Sequence, residues 1–236
     1  MRELGSQVMY IQADVSDEVA LQVALASIRY QLGPIQGVIH AAGVAGDKTI
    51  FNQDYEQFGQ VLQPKVQGTL VLDQLLEQEP LDFMCYFSSG TAILGDFGTC
   101  NYAIGNRFQM AYAQYRNELV QAGQRKGKTV VINWPLWKEG GMHLKEDTLT
   151  ELFLKSTGQR LLHTEEGLGL FEQLLTQTAT QVLVLAGKPA RLRQMLGITP
   201  VTAPTTQQAR TVTASKPSLR KKKWATLTWN SVLNGT

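Results

Sequence analysis

Short apolar stretches alternate with longer amphipathic stretches along most of this chain. The short ones have the length and composition of buried strands, at residues 8–12, 37–40, 81–87, 130–134 and 181–186. Between them, apolar residues recur at helical spacing and predict helices over residues 17–31, 54–77, 104–119, 164–176 and 190–196. Ser16 is the predicted N-cap of the first helix. Strands alternating with helices of ten or more residues indicate an α/β fold with a parallel sheet.

The pattern ends near residue 197, which divides the chain into two parts. Residues 1–197 form the predicted α/β domain, and residues 198–236 form a Thr- and Pro-rich linker with a basic tail, predicted to be disordered. The net charge of +2 combines +6 in residues 198–236 with −4 in the domain. A mildly acidic domain gives no reason to expect nucleic-acid binding.

Length and composition limit the number of domains and the cellular environment to be expected. The 236 residues suit one domain plus a tail. No apolar run approaches the roughly 20 residues that cross a bilayer, and the first residues lack a signal-peptide pattern. The two cysteines, Cys85 and Cys100, have neither metal-ligand spacing nor enough partners for a disulfide framework. We therefore expect a cytoplasmic protein with no membrane partner and no metal.

Four polar residues have the chemistry of ketone reduction. Tyr102 and Asn106 are four apart and share a helix face. Ser89 lies at the carboxyl end of the predicted strand 81–87, and Lys65 lies on the helix before that strand. Reduction places negative charge on the ketone oxygen, so an acid must be positioned there. A lysine ammonium lowers the pKa of a nearby phenol, and a serine hydroxyl can hold the ketone oxygen.

Each of these residues alone is more often structural: a core tyrosine, a turn-capping serine, a solvated lysine. The joint arrangement is more telling, because open parallel sheets bind their ligands at the carboxyl ends of their strands. Ser88, the neighbour of Ser89, has a weaker claim to the same role. His40 is more often a satisfied buried histidine, and no role is expected for it.

Four segments carry a family resemblance: GVIHAAGV (37–44), QPKVQGTLVLD (63–73), FSSGTAILGDFGTCNYAIGN (87–106) and INWPLWKEGGM (132–142). With them, residues 8–196 resemble the catalytic part of a ketoreductase domain from a modular polyketide synthase, in the short-chain dehydrogenase/reductase superfamily. The upstream lysine, with Asn106 four after the tyrosine, is typical of these ketoreductases. The segment NWPLW (133–137) resembles the corresponding segment of synthases whose acyltransferase acts in trans. The resemblance implies a Rossmann-like three-layer parallel sheet.

The resemblance also implies roles for individual residues. Ser89 would position the ketone, Tyr102 would donate the proton, and Lys65 and Asn106 would complete the catalytic set. NADPH is the implied cofactor, and the implied cofactor-binding residues are Asp14, Val15, Ala41, Ala42, Gly43, Lys65, Tyr102 and Pro135. The alternatives are a turn aspartate at Asp14 and a plain tight turn at Ala41–Gly43. Gly140-Gly141 would hinge a lid reaching to about Leu162.

Three further positions bear on substrate and stereochemistry by resemblance: Asp47, Leu94 and Met142. Relatives that form the D-configured alcohol carry a Leu-Asp-Asp run after the HAAG-like loop, and here only Asp47 of that run is present. The opposite class carries a tryptophan eight residues before the tyrosine, where this chain has Leu94. We expect the D-type alcohol.

One expected element is missing from this sequence. The glycine-rich turn that holds a cofactor pyrophosphate, with the superfamily's first two strands, has no counterpart. We therefore expect the edge of the strand at residues 37–40 to be exposed. Two explanations fit: a fragment of a longer synthase, or a chain that pairs with a separate polypeptide supplying the N-terminal half.

The expected function is reduction of a β-ketoacyl group to a β-hydroxyacyl group. The substrate would be held by the phosphopantetheine arm of an acyl carrier protein, among the other domains of a polyketide synthase. The isolated chain would have little or no activity. The alternatives are a non-catalytic remnant with a packing role and a stand-alone short-chain dehydrogenase acting on a free small molecule.

Overall fold

The computed structural model describes residues 5–46, 48–96, 98–140, 142, 147–198 and 226–228. Five strands are present in these ranges: β1 (Gly37–His40), β2 (Phe83–Ser89), β3 (Lys128–Trp134), β4 (Gln181–Val184) and β5 (Thr226–Thr228). The α-helices are α1 (Glu18–Leu32), α2 (Tyr55–Leu75), α3 (Thr91–Leu94), α4 (Cys100–Gln121), α5 (Asp147–Thr157), α6 (Thr164–Thr176) and α7 (Pro189–Met195). A short 3₁₀ turn covers Ile50–Asn52.

The strands form one sheet in the order β1-β2-β3-β4-β5. The first four are parallel, and β5 runs antiparallel to β4. Ser88 lies opposite Asn133 and Ser89 opposite Trp134, so the ends of β2 and β3 are level. This register brings the carboxyl ends of the two central strands to the same edge.

Helices cover both faces of the sheet. On one face, Leu25 of α1, Leu72 of α2 and Ala113 of α4 pack against Met84 and Tyr86 of β2. On the other face, Leu174 of α6 packs in a cluster that includes Cys85, Val130, Ile132 and Val182. Successive residues of β2 therefore serve opposite cores, as the period of a strand requires. The predicted three-layer, Rossmann-like parallel fold is confirmed.

Two local predictions are wrong. Residues 8–12 are not a strand, because no described strand lies beside them and a strand is stable only when its backbone groups are paired. The N-cap of α1 is Asp17, whose carboxylate accepts from the Ala20 amide at 3.0 Å, whereas Ser16 donates to Asp14 instead.

The edge of the sheet at β1 has the predicted exposure. Within the described residues, β1 pairs with β2 only, and Ile39 is 49% exposed. Of the predicted linker and tail, only Thr226–Thr228 lie within the described residues, and they form β5. The described helices include none that is both long and apolar enough to cross a bilayer.

A buried ion pair joins α2 to α4. The Arg116 guanidinium donates to the Asp73 carboxylate at 2.7 Å, and both side chains are at most 2% exposed. Arg116 also donates to the carbonyl oxygens of Gly127 and Lys126, at the start of β3. Arg125 contacts the same carboxylate at 3.1 Å. The pair fixes the two helices that carry Lys65 and Tyr102 relative to each other.

Candidate active site

A cavity of about 300 Å³ opens beside the carboxyl ends of β1, β2 and β3. Its walls come from the turns after these strands, from α2 and α4, and from α5 with the loop after it. Among the lining residues are Ala41, Lys65, Ser89, Leu94, Tyr102, Pro135 and Met142. This is the edge at which open parallel sheets bind ligands.

Lys65 reaches the cavity from the middle of α2 and is 2% exposed. Its stem passes closely between two glycines: a Cβ at Gly43 would lie 3.0 Å from Cε of Lys65, and one at Gly105 would lie 3.0 Å from its Cβ. The ammonium donates to the carbonyl oxygen of Phe87 at 2.6 Å. Burial lowers the pKa of Lys65 to about 8.

Tyr102 lies in the first turn of α4 and lines the same cavity. Burial raises the pKa of its phenol, and side-chain hydrogen bonds with Asn106 and Ser89 partly offset that rise. The Lys65 ammonium is not among the causes of this shift, although a lowering by Lys65 was the expectation from sequence. The phenol therefore keeps its proton at neutral pH, as a proton donor must.

The two serines at the end of β2 have different partners. Ser89 donates to the Thr91 hydroxyl at 3.1 Å and accepts from the Thr91 amide at 3.2 Å, at the cavity wall. Ser88 also lines the cavity, but its hydroxyl donates to the Asn133 amide oxygen at 2.7 Å. Asn133 in turn donates to the Val182 carbonyl at 3.1 Å. The Ser88 hydroxyl is thus engaged by Asn133, whereas Ser89 hydrogen-bonds with the phenol.

Asn106 lies one turn after Tyr102 and is fully buried. Its amide nitrogen donates to the Tyr102 carbonyl at 2.9 Å. Its Oδ1 atom has no hydrogen-bond partner in the described structure. This buried oxygen is free to accept a hydrogen bond, and the expected role of Asn106 in ordering a water or the lysine stays a prediction.

The predicted cofactor residues fall into two groups. Ala41, Pro135, Lys65 and Tyr102 line the cavity, and Gly43 packs against Lys65. These residues fit the nicotinamide end of a dinucleotide, because they place small backbone turns and a cation at the ligand-binding edge.

Asp14 and Val15 are not among the residues that line the cavity. Asp14 is exposed, and its carboxylate accepts from the amide and the hydroxyl of Ser16, which lowers its pKa. Val15 packs on Gly68 of α2. Their adenine-binding role stays a prediction.

The positions predicted to affect substrate and stereochemistry, together with Gly141 and His40, are located as follows. Leu94 and Met142 line the cavity, whereas Asp47 and Gly141 lie outside the described residues. His40 is buried, with its Nε2 atom 3.1 Å from the Pro64 carbonyl oxygen. Desolvation and the nearby Lys65 lower the pKa of His40 to about 4, so the ring is neutral at physiological pH.

Five residues of the cavity wall were not predicted from the sequence. Phe87, Trp134, Trp137 and Phe153 form an aromatic wall, and Gln159 completes it. The ring centroids of Trp134 and Trp137 are 5.0 Å apart. The segment Asn133–Trp137 carried a usable signal, because two tryptophans flank a proline directly after a predicted strand.

The low pKa of Lys65 predicts a specific pH dependence of stability. In the unfolded chain this ammonium titrates near 10.5, and in the folded chain near 8. Between these values the unfolded state binds more protons, so the free energy of unfolding rises with pH. The measurement is urea unfolding of the wild type and of Lys65→Met at pH 7.5 and at pH 10.5. Between these pH values, the free energy of unfolding of the wild type should rise by roughly 3 kcal/mol more than that of Lys65→Met, at 1.36 kcal/mol per pKa unit. Exposed Lys126→Met is the control, and equal pH dependence in all three proteins would contradict the assignment.

Comparison with known proteins identifies the family. The KR domain family profile matches residues 1–139. Polyketide synthase PksM of Bacillus subtilis (strain 168) is 52% identical over 199 residues, which are 84% of this chain and 5% of that protein. Polyketide synthase ThaG of Burkholderia thailandensis is 41% identical over 188 residues, 80% of this chain and 3% of that protein. The chain thus spans a small part of these curated relatives.

Solved ketoreductase structures are similar to this chain in fold and sequence. A ketoreductase domain from the bacillaene assembly line has a TM-score of 0.78 at 39% identity, over 83% of this chain and 46% of that one. An N-terminal ketoreductase from the macrolactin assembly line has a TM-score of 0.73 at 34% identity, over 83% of this chain and 37% of that one. By its family match, its fold and its relatives, the chain belongs to the ketoreductase (KR) domain family of polyketide synthases, in the short-chain dehydrogenase/reductase superfamily.

Proposed function

We propose that this chain supplies the catalytic part of an NADPH-dependent ketoreductase. It reduces a β-ketoacyl group on an acyl carrier protein to a β-hydroxyacyl group. One observation carries the proposal: the side chains of Ser89, Tyr102 and Lys65 line a single cavity at the carboxyl edge of the sheet. A decayed, non-catalytic remnant would be expected to have lost members of this set, and all of it is present.

Ser89 and Tyr102 have different roles at the ketone oxygen of the substrate. The Ser89 hydroxyl holds that oxygen beside the Tyr102 phenol, which donates a proton to it as negative charge develops. The phenolate that remains is stabilised by hydrogen bonds from Ser89 and Asn106. The Lys65 ammonium lines the same cavity. The cofactor, when bound, supplies the hydride.

The residues present favour the nicotinamide end of the cofactor. The turn Ala41–Gly43 and Pro135 would hold the nicotinamide and its ribose, with Lys65 and Tyr102 beside them. Asp14 and Val15 would meet the adenine ring. The preference for NADPH over NADH comes from the family, because no residue of this chain is assigned to the 2′-phosphate.

The exposed edge of β1 supports a further part of the proposal. A polypeptide carrying the cofactor-phosphate loop, whether upstream in the same chain or separate, would pair along this edge. The other synthase domains and the carrier protein complete the assembly. Leu94 and Met142, which line the cavity, would influence the stereochemistry, and the expected product is the D-alcohol.

The proposal is tested with a chimera and with the chain alone. In the chimera, this chain replaces the matching portion of the bacillaene ketoreductase, whose remainder supplies the cofactor-phosphate loop. Each protein is given a β-ketoacyl carrier protein with NADPH or NADH, and the product is identified by mass spectrometry and chiral chromatography. We expect reduction by the chimera, faster with NADPH, and little or none by the chain alone. A chimera that folds and binds NADPH but leaves the ketone intact would refute the function.

A further inference from the structure

Two buried N–H groups of the cavity wall have no partner. Trp134 Nε1 and Gln159 Nε2 are both buried, and neither has a hydrogen-bond partner in the part of the chain that the structure describes. Both residues line the cavity. An indole nitrogen can only donate, and an amide nitrogen donates as well. Because buried polar groups are nearly always paired, two unpaired donors on one cavity point to a ligand that brings an acceptor.

The fold holds Gln159 in place. The amide of Arg160 donates to the Ala186 carbonyl at 2.7 Å, and the amide of Lys188 donates to the Gly158 carbonyl at 3.2 Å. Gly158 has a φ of +73°, and a Cβ there would lie 2.7 Å from the Cβ of Arg191. A tight glycine turn clamped against the loop after β4 therefore presents the Gln159 side chain to the cavity.

Trp134 lies directly beside the proposed catalytic serine. Ser89 and Trp134 are register partners on β2 and β3. Paired residues of adjacent parallel strands lie about 4.8 Å apart and point to the same face. A ligand whose ketone oxygen contacts Ser89 thus has its next few atoms beside the indole.

The surroundings select a neutral acceptor. The Trp134 ring packs against Phe87 and Trp137, with ring centroids 5.5 and 5.0 Å away, and Phe153 and Leu185 line the same cavity. An anion in such apolar surroundings would lose its hydration without a compensating charge. A carbonyl oxygen loses less on leaving water and accepts two hydrogen bonds.

We propose that Trp134 and Gln159 form a carbonyl-binding subsite for the thioester oxygen of the substrate. This inference rests on the proposed function. A β-ketoacyl thioester carries two carbonyls separated by one carbon, so the ketone is held by Ser89 and Tyr102 while the thioester oxygen accepts from Trp134 and Gln159. The subsite fixes which carbonyl is reduced and which is only bound.

The test measures binding by the full chain and needs no turnover. The ¹⁵N-labelled protein is titrated with a β-hydroxyacyl pantetheine thioester and with its thioether analogue, which keeps the amides of the arm but lacks the thioester carbonyl. The Trp134 indole resonance is assigned by its loss in Trp134→Phe. We expect that resonance to move downfield with the thioester and to stay in place with the thioether.

Affinities from calorimetry provide a second measurement. Gln159→Leu should weaken thioester binding about tenfold, equivalent to about 1.4 kcal/mol, and leave thioether binding unchanged. Gln173→Leu, at an exposed position of α6, is the matched control. Equal resonance shifts with both ligands, no thioester binding, or full affinity in both Gln159→Leu and Trp134→Phe would overturn the subsite. Failure of the proposed function appears separately, as loss of ketone reduction in the chimera.

Discussion

Replacing Tyr102 with phenylalanine is expected to reduce ketone reduction by the chimera about 10²- to 10⁴-fold, the usual contribution of a positioned acid. The change removes one oxygen and keeps the ring, so the packing of α4 against the cavity is preserved. Without the phenol, the proposed proton donor beside Ser89 is lost. The loss should appear mainly in kcat.

Tyr115→Phe provides the control for this variant. Tyr115 lies on the same helix, is 51% exposed and does not line the cavity. Steady-state reduction of a β-ketoacyl carrier protein, followed by mass spectrometry, measures kcat for both variants. Tyr102→Phe retaining wild-type kcat would show that the proton comes from another group.

Asp73→Asn is expected to lower the free energy of unfolding by about 3–5 kcal/mol, the usual cost of removing one member of a buried ion pair. The substitution keeps the shape of the side chain and removes its charge. The Arg116 guanidinium, 1% exposed, would then be buried without an anion at 2.7 Å. Carbonyl acceptors at Gly127 and Lys126 would remain, but they carry no compensating charge.

Glu77→Gln is the control, because it removes an exposed carboxylate from the same network of ion pairs. Glu77 accepts from Arg125 of the same network at 2.8 Å, and its side chain is 46% exposed. An exposed pair contributes about 0–1 kcal/mol, so this variant should be nearly as stable as the wild type. Urea unfolding followed by circular dichroism measures all three proteins. Equal stability of the two variants would mean that the buried carboxylate contributes no more than the exposed one.

Local pattern predicted most of the helices and strands. The helix over residues 164–176 and the strand over residues 37–40 have the predicted bounds, because their apolar spacing follows the period of the element. Residues 8–12 also have the composition of a strand, yet they form none. A strand depends on a neighbour that lies far away in sequence or outside it, and no local pattern reports that neighbour.

The candidate site was predictable only where its chemistry is local. Tyr102 and Asn106 were found because a four-residue spacing sets one helix face, and Ser89 because it ends a strand. Trp134 and Gln159 were missed, because their relation to Ser89 depends on the register of β2 against β3 and on a turn clamped to the loop after β4.

The sequence by itself determined the fold class and the groups available for chemistry: a parallel sheet with a phenol, a hydroxyl and an ammonium. Only the tertiary structure decided how each group behaves. It bound the Ser88 hydroxyl to Asn133 and placed Ser89 against the Tyr102 phenol, although the two serines are chemically identical. It also lowered the pKa of Lys65 and raised that of Tyr102. Hydration and hydrogen-bond partners set these properties, and both depend on distant residues that folding brings together.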